Sequence, residues 1–396
     1  MKRFDSLKQL PLDPILGLPI LFNADSRPHK VNLGIGAYKD AEGKPLVLTS
    51  VRDAENHIAD EHTNKEYQPI DGSPFFLKPV TELVFGSHST AVAEERVFAC
   101  QALGGTGALR LGGELLKRLD CQKIYISDPS WPNHSLIFSQ AGLSIETYPY
   151  YDMKTQTITF QAFCDFLKGL SAGSVVLLQA CCHNPTGMDL TFDQWKILAD
   201  IFKEKDLIPF FDFAYQGFAT GVDADATAIR YFTEQGLECL VASSFSKNFG
   251  LYGERVGALF VVTASADSAK RTGSHLKQII RAQFSNPPLH GARIVSAILS
   301  DNSLKKDWID ELDNMRIRIE EMRHAFEAGL LTKRSTTDFS FIKKQKGLFS
   351  FCGLKEDQVK KLREEFAIYM PDNGRINVAG LNMHNMDYVI NAIGAV

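Results

Sequence analysis

Asp193-Gln-Trp-Lys-Ile-Leu-Ala-Asp-Ile-Phe-Lys-Glu204 has the pattern of a helix, and almost at once Leu207-Ile-Pro-Phe-Phe-Asp212 follows as a short, β-rich apolar run. The same pairing spreads outward. Further β-rich runs stand at 123–127 and 174–179 before it and at 240–244 after it. Short strands alternating with helices predict an α/β core on a largely parallel sheet. From Leu304 the apolar positions Leu304, Trp308, Leu312, Met315, Ile319, Met322 and Phe326 recur at intervals of three and four. That spacing predicts one long amphipathic helix, suited to connecting two units. Beyond it, strand-like runs at 339–343 and 348–351, a helical stretch around 358–366 and a short strand near 375–378 predict a smaller α+β unit, joined by part of the N-terminus.

A chain of 396 residues is long enough for two domains, and without repeats or a Gly/Ser tether these must be joined by ordered segments. Its 43 Lys and Arg against 47 Asp and Glu leave a net charge of −4. That balance gives neither the basic footprint of a nucleic-acid binder nor a polybasic segment for anionic lipid, so small-molecule partners are favoured. The first residues mix charges among apolar ones, so neither a secretory signal nor a membrane span is expected, and the cytoplasm is the expected location. Seven scattered cysteines read as reduced thiols. The run Cys181-Cys182-His183 lacks the spacing of a structural zinc site, and no metal is expected.

Four segments at strand ends or helix starts carry the chemistry, since that is where an open α/β sheet collects ligands. In Ile208-Pro-Phe-Phe-Asp212-Phe-Ala-Tyr215-Gln-Gly217 one carboxylate stands in an apolar strand. Its burial is costly unless a cation compensates it, and a protonated pyridine nitrogen is such a cation; a carboxylate satisfied at a strand-end turn is the other reading. Gly104-Gly105-Thr106-Gly107 precedes a helical pattern at 108–119. Small residues there let a phosphate approach free N–H groups and the helix dipole, with the Thr106 hydroxyl as donor, although glycines also serve plain turns. Neither this segment nor Gly34-Ile35-Gly36 fits a nucleotide fingerprint. Ser243-Ser244-Phe245-Ser246-Lys247-Asn248, with Arg255 eight positions past the lysine, is a strand running into a polar loop. Nearby positive charge and desolvation make a lysine nucleophilic near neutral pH, whereas a lone lysine is more often a solvated surface group. His183-Asn184-Pro185-Thr186-Gly187 is a turn whose asparagine amide can donate to a ring oxygen or a carboxylate.

These segments, together with Asp13-Pro-Ile-Leu-Gly17, Val31-Asn-Leu-Gly-Ile-Gly36, 67–72, Pro129-Ser-Trp-Pro-Asn-His134, 252–257, Ser285-Asn-Pro-Pro288 and 374–380, resemble in order the class I aminotransferases of the aspartate and aromatic amino-acid group. The resemblance runs from end to end, and it overrides the plain-turn and surface-lysine readings. It implies the pyridoxal-phosphate transferase fold of type I: a large domain over 47–314 with a mostly parallel mixed sheet flanked by helices, a small α+β domain from 13–46 and 315–396, and an N-terminal arm, 1–12. It implies pyridoxal 5′-phosphate as cofactor, with Lys247 as the Schiff-base lysine and proton shuttle. Asp212 would pair with the pyridine nitrogen, supported by His134, while Tyr215 and Asn184 would bond the ring 3-oxygen and Trp131 would stack on the ring. Gly105, Thr106, Ser244, Ser246 and Arg255 would hold the phosphate, with Tyr67 reaching in from the second subunit of a homodimer.

For the substrate, the resemblance implies contacts from Gly36, Trp131 and Asn184, a bidentate grip of Arg375 on the α-carboxylate, and Arg281 of the neighbouring subunit on a distal carboxylate. Two such arginines select dicarboxylic amino acids. The implied reaction is ping-pong transamination between aspartate and 2-oxoglutarate. Ala37 stands where aspartate-selective relatives more often carry a larger aliphatic residue, so a roomier pocket and aromatic amino-acid transamination are the alternative. A pyridoxal-phosphate lyase would share Lys247 and Asp212 without needing both arginines.

Overall fold

A computed structural model of the chain describes residues 2–333 and 338–396. Its centre is a seven-stranded sheet in the spatial order Val97–Leu103, Val256–Val262, Cys239–Ser244, Ile208–Phe213, Val175–Gln179, Lys123–Asp128, Ser144–Pro149. Only Val256–Val262 is reversed, antiparallel to both neighbours; the other six strands run the same way. Strands covered on both faces must be apolar almost throughout. Accordingly Val175, Leu177 and Phe210 enter one core cluster, and Val176, Leu178, Phe211 and Phe213 the other. Asp212, two residues from Phe210, points to the same face as that ring.

Two registers decide where a site can form. Val256 lies opposite Leu103, and Gly257 opposite Ser244. The start of the reversed strand therefore shares one rim of the sheet with the carboxyl ends of the others. Residues just past those ends, among them Gly105, Trp131, Asn184, Tyr215 and Lys247, line one cavity together with Arg255, which stands just before the reversed strand. This is the rim at which open α/β sheets bind ligands.

The long helix is Asn302–Lys333, with Trp308, Leu312, Met315, Ile319 and Phe326 buried. Near its start Trp308 stacks on Phe249, with centroids 4.4 Å apart, and donates its indole N–H to the Asn248 carbonyl at 2.7 Å. Towards its end it packs against C-terminal elements, including the helix Met386–Ala395. Here Phe349–Phe351 pairs antiparallel with Arg375–Asn377, and Val31–Asn32 pairs parallel with Ile368–Tyr369, which ties an N-terminal segment to this part of the chain.

Two expectations are corrected. The run at 339–343 forms no strand: Ser340–Lys344 is a 3-10 helix. Asp338 Oδ1 accepts the Ser340 N–H at 2.8 Å and starts a turn, and the buried Phe339 and Ile342 are three apart, the period of that helix. The glycine segment does not precede its helix but forms the first turn of Gly104–Arg118. Gly104 has φ +67°, which glycine adopts without a steric penalty, so the chain turns from strand to helix at that residue.

Candidate active site

At the rim lies a cavity of about 330 Å³. Gly36, Gly105, Thr106, Trp131, Asn184, Asp212, Tyr215, Ser244, Ser246, Lys247, Arg255 and Arg375 all line it. His134 stands behind Asp212 rather than on the wall. Tyr67 is 89% exposed and Arg281 is also exposed; neither reaches this cavity. Ala37 does not line it either, while Ile35 and Gly36 do. Asn377 Nδ2 donates to the carbonyls of both Ile35 and Ala37 at 2.7 Å, which pins the course of that segment. A larger hollow of about 1030 Å³ between the helices Thr49–Asp60, Pro74–Phe85 and His290–Ser300 contains none of these groups.

One end of the cavity is a nest of donors. Arg255 Nη1 donates to the Tyr252 carbonyl at 2.8 Å and to Ser246 Oγ at 3.4 Å, and the Gly104 N–H donates to the Arg255 carbonyl at 3.0 Å. A Cβ at Gly104 would lie 2.5 Å from Arg255 Nη2, and one at Gly105 would lie 3.0 Å from Ser244 Cβ. Only glycines let a guanidinium, two serine hydroxyls and the first turn of a helix converge so closely. That donor set at a helix N-terminus fits a phosphate.

Lys247 is half-buried, with Nζ 5.1 Å from the Tyr215 ring centroid. Burial lowers its pKa to about 8; Asp212 opposes the shift, and the charges of Arg255 and Arg375 add to it. Burial raises the Tyr215 phenol well above its ordinary range, so it keeps its proton. Asp212 Oδ2 lies 2.9 Å from His134 Nε2, and His134 Nδ1 lies 2.8 Å from Ser130 Oγ, so the imidazole is held at both ends. Among the described residues the other Asp212 oxygen has no hydrogen-bond partner.

The opposite wall is built around Arg375, which is 2% exposed. Its Nη1 donates to Asn184 Oδ1 at 3.1 Å and its Nη2 to the Gly34 carbonyl at 2.5 Å, and its guanidinium carbon lies 4.2 Å from the Phe349 ring centroid. Its Nε has no partner among the described residues. Burial lowers its pKa to about 10, still a cation at neutral pH. A buried cation facing only neutral acceptors is costly until an anion arrives. Asn184 is itself fixed, its backbone N–H and carbonyl both bonded to the Gln179 amide at 2.8 and 3.0 Å. Gln179, Ser130 and Phe349 were not singled out from sequence. A polar residue ending an apolar run was the available signal for Gln179; Phe349 carried none.

A half-buried lysine amine, a carboxylate backed by histidine, a donor nest that fits a phosphate and a buried arginine are the parts of an enzyme that works on amino acids through an anchored cofactor. The chain matches the profile of aminotransferase class I and II over residues 28–393, and it belongs to that family of pyridoxal-phosphate enzymes. It is 49% identical to the aspartate aminotransferase of Escherichia coli (strain K12) over 394 residues, 99% of this chain and 100% of the relative. Among solved structures, an aromatic-amino-acid aminotransferase from Burkholderia pseudomallei, covalently bound to pyridoxal phosphate, superposes with a TM-score of 0.97 at 48% identity, covering 100% of this chain and 99% of that one. The cytoplasmic aspartate aminotransferase of Saccharomyces cerevisiae gives 0.96 at 39% identity, covering 99% and 98%. Among the described residues no helix is long and apolar enough to cross a membrane.

Proposed function

We propose that the chain transfers the amino group of aspartate to 2-oxoglutarate by a ping-pong mechanism with pyridoxal phosphate, and accepts aromatic amino acids as secondary donors. The observation that carries this reading is the buried Arg375, with an unpartnered Nε, on the same cavity as a lysine whose pKa is lowered to about 8. Gly105, Thr106, Ser244, Ser246 and Arg255 would hold the phosphate, and Tyr67 of a second subunit would complete that end. Asp212, buttressed by His134, would pair with the pyridine nitrogen; Asn184 and Tyr215 would bond the ring oxygen; Trp131 would stack on the ring. The cofactor, when bound, supplies the sink for the electron pair left on the substrate α-carbon. Lys247, with its amine uncharged, would take the proton from that carbon and deliver it to the C4′ carbon of the cofactor. Arg375 orients the substrate through its α-carboxylate, a pairing that a planar fork makes bidentate.

Arg281 and Tyr67, exposed on their own chain, suit delivery to the cavity of a partner, and the exposed Phe4, Leu7 and Leu10 suit an arm that packs on it. A homodimer is part of this reading. So is a small domain formed by 13–46 and 315–396 against a large one over 47–314. The aromatic side activity is supported by the apolar Ile15, Leu16, Ile35 and Leu109 along the cavity and by the substrate named for the Burkholderia pseudomallei relative. Seven free thiols suit a reducing cytoplasm. Borohydride reduction of the loaded enzyme and peptide mapping test the core of the reading: the pyridoxyl mass belongs on Lys247, and label elsewhere or nowhere overturns it. A panel of amino donors with 2-oxoglutarate is expected to rank aspartate first.

A further inference from the structure

We infer that Arg323, on the long helix and outside the cavity, is a positioning residue that sets the substrate-carboxylate clamp; this rests on the assignment of Arg375 to the α-carboxylate. Arg323 is 2% exposed, and among the described residues no carboxylate forms an ion pair with it. Instead, its guanidinium is spent on one short stretch of backbone. Nη2 donates to the Gly347 carbonyl, and Nη1 donates to Ser350 Oγ and, at 3.3 Å, to the Phe349 carbonyl. A buried cation without a counter-charge is expensive to keep, and a smaller neutral side chain would fill a core more cheaply. Its fork is what a neutral residue cannot replace.

The stretch it holds touches three walls of the site. Phe349, between the bonded carbonyl and hydroxyl, puts its ring 4.2 Å from the Arg375 guanidinium and edge-on to Tyr215 at 5.8 Å. The same ring fills the space beside Gly36, where a Cβ would lie 2.6 Å from Phe349 Cζ. On the other side, the Lys346 N–H donates to the Gly187 carbonyl at 2.6 Å, and a Cβ at Gly347 would lie 2.4 Å from Cys182 Cβ, so the stretch is pressed against the turn that carries Asn184. Phe349–Phe351 is a three-residue strand in a two-stranded sheet with Arg375–Asn377, an arrangement that is marginal without outside support. Arg323 supplies that support. Movement of Phe349 would shift the surface beneath Arg375 and the packing of Tyr215 together.

The test uses the cofactor-loaded enzyme, with succinate as an unreactive dicarboxylate probe. Arg323→Lys keeps the charge but cannot fork to three acceptors. The expected result is retained cofactor absorbance, a KM for aspartate and a succinate dissociation constant raised about tenfold, and a kcat at saturation within about threefold of the parent, because orientation of the carboxylate and not proton transfer is impaired. Ser350→Ala removes one acceptor alone and is expected to move both constants in the same direction by about threefold. Lower thermal stability with unchanged KM and succinate affinity in either folded variant would mean a merely structural arginine and would overturn the inference. Arg375→Lys separates the two claims. If it leaves succinate affinity intact, the reading of the clamp fails; if it weakens succinate while the Arg323 and Ser350 variants do not, only the role of Arg323 falls.

Discussion

At the scale of single residues, Lys247 gives up its proton near pH 8 rather than near the 10.5 of an ordinary lysine. Its amine is therefore partly uncharged at neutral pH, and the rate at which the cofactor-free protein captures pyridoxal phosphate is expected to rise with pH and level off above about 8. A rate still climbing towards pH 10 in stopped-flow absorbance would contradict this. The same shift has a stability consequence with a definite sign. The folded pKa lies below the unfolded one, so between about 8 and 10.5 the unfolded chain binds more protons and stability rises with pH; below 8 the penalty of burying the ammonium is constant. Gly104→Ala would place a Cβ at φ +67°, 2.5 Å from Arg255 Nη2. It is expected to cost about 1–2 kcal/mol in denaturant unfolding and to weaken cofactor binding in titration. Asp212 was legible because a charge in an apolar strand demands a reason, whereas Lys247 and Arg375 were assigned through the family resemblance, since a lone lysine or arginine beside a loop reads as a surface group. Phe349 was not legible, because nothing in Leu348-Phe349-Ser350-Phe351 distinguishes the ring on the cavity from the ring in the core.

At the scale of elements, the helix Asn302–Lys333 touches the lysine loop near its start, through Trp308, and the Phe349 strand near its end, through Arg323. Trp308→Phe would leave the Asn248 carbonyl without its buried donor. A loss of about 1–3 kcal/mol is expected from chemical denaturation, with slower capture of cofactor by the neighbouring Lys247; unchanged stability would show that Trp308 acts by its ring alone. The three- and four-residue spacing made this helix readable because it is amphipathic along its length. The Ser340–Lys344 helix was not, since the apolar residues there also suit a strand and the deciding interaction is one Asp338 side chain capturing an N–H. The glycine turn was placed too early because helix propensity argues against glycine, whereas closeness to Arg255 required it.

At the scale of the whole molecule, Tyr67 and Arg281 gain their proposed roles only when a second copy is present. Arg281→Ala is expected to lower kcat/KM for aspartate about ten- to a hundredfold, the worth of one charge-assisted pair, while sparing phenylalanine. Equal losses for both substrates would remove Arg281 from the distal carboxylate. The sequence reading named four of the seven sheet strands, at 123–127, 174–179, 207–212 and 240–244, and not their order, because a strand records its own burial and not its neighbours: nothing in 256–262 announces a reversed strand between Val97–Leu103 and Cys239–Ser244. That insertion is also expected to order the events of folding. The Gly104 N–H donates to the Arg255 carbonyl at the end of a strand pairing between residues about 150 apart in the chain, so both should form together and late. On dilution from denaturant, helical ellipticity should return well before the lysine regains its unusual acidity, since closing so large a loop is slow. Fragments ending before Arg255 should recover the first signal and never the second.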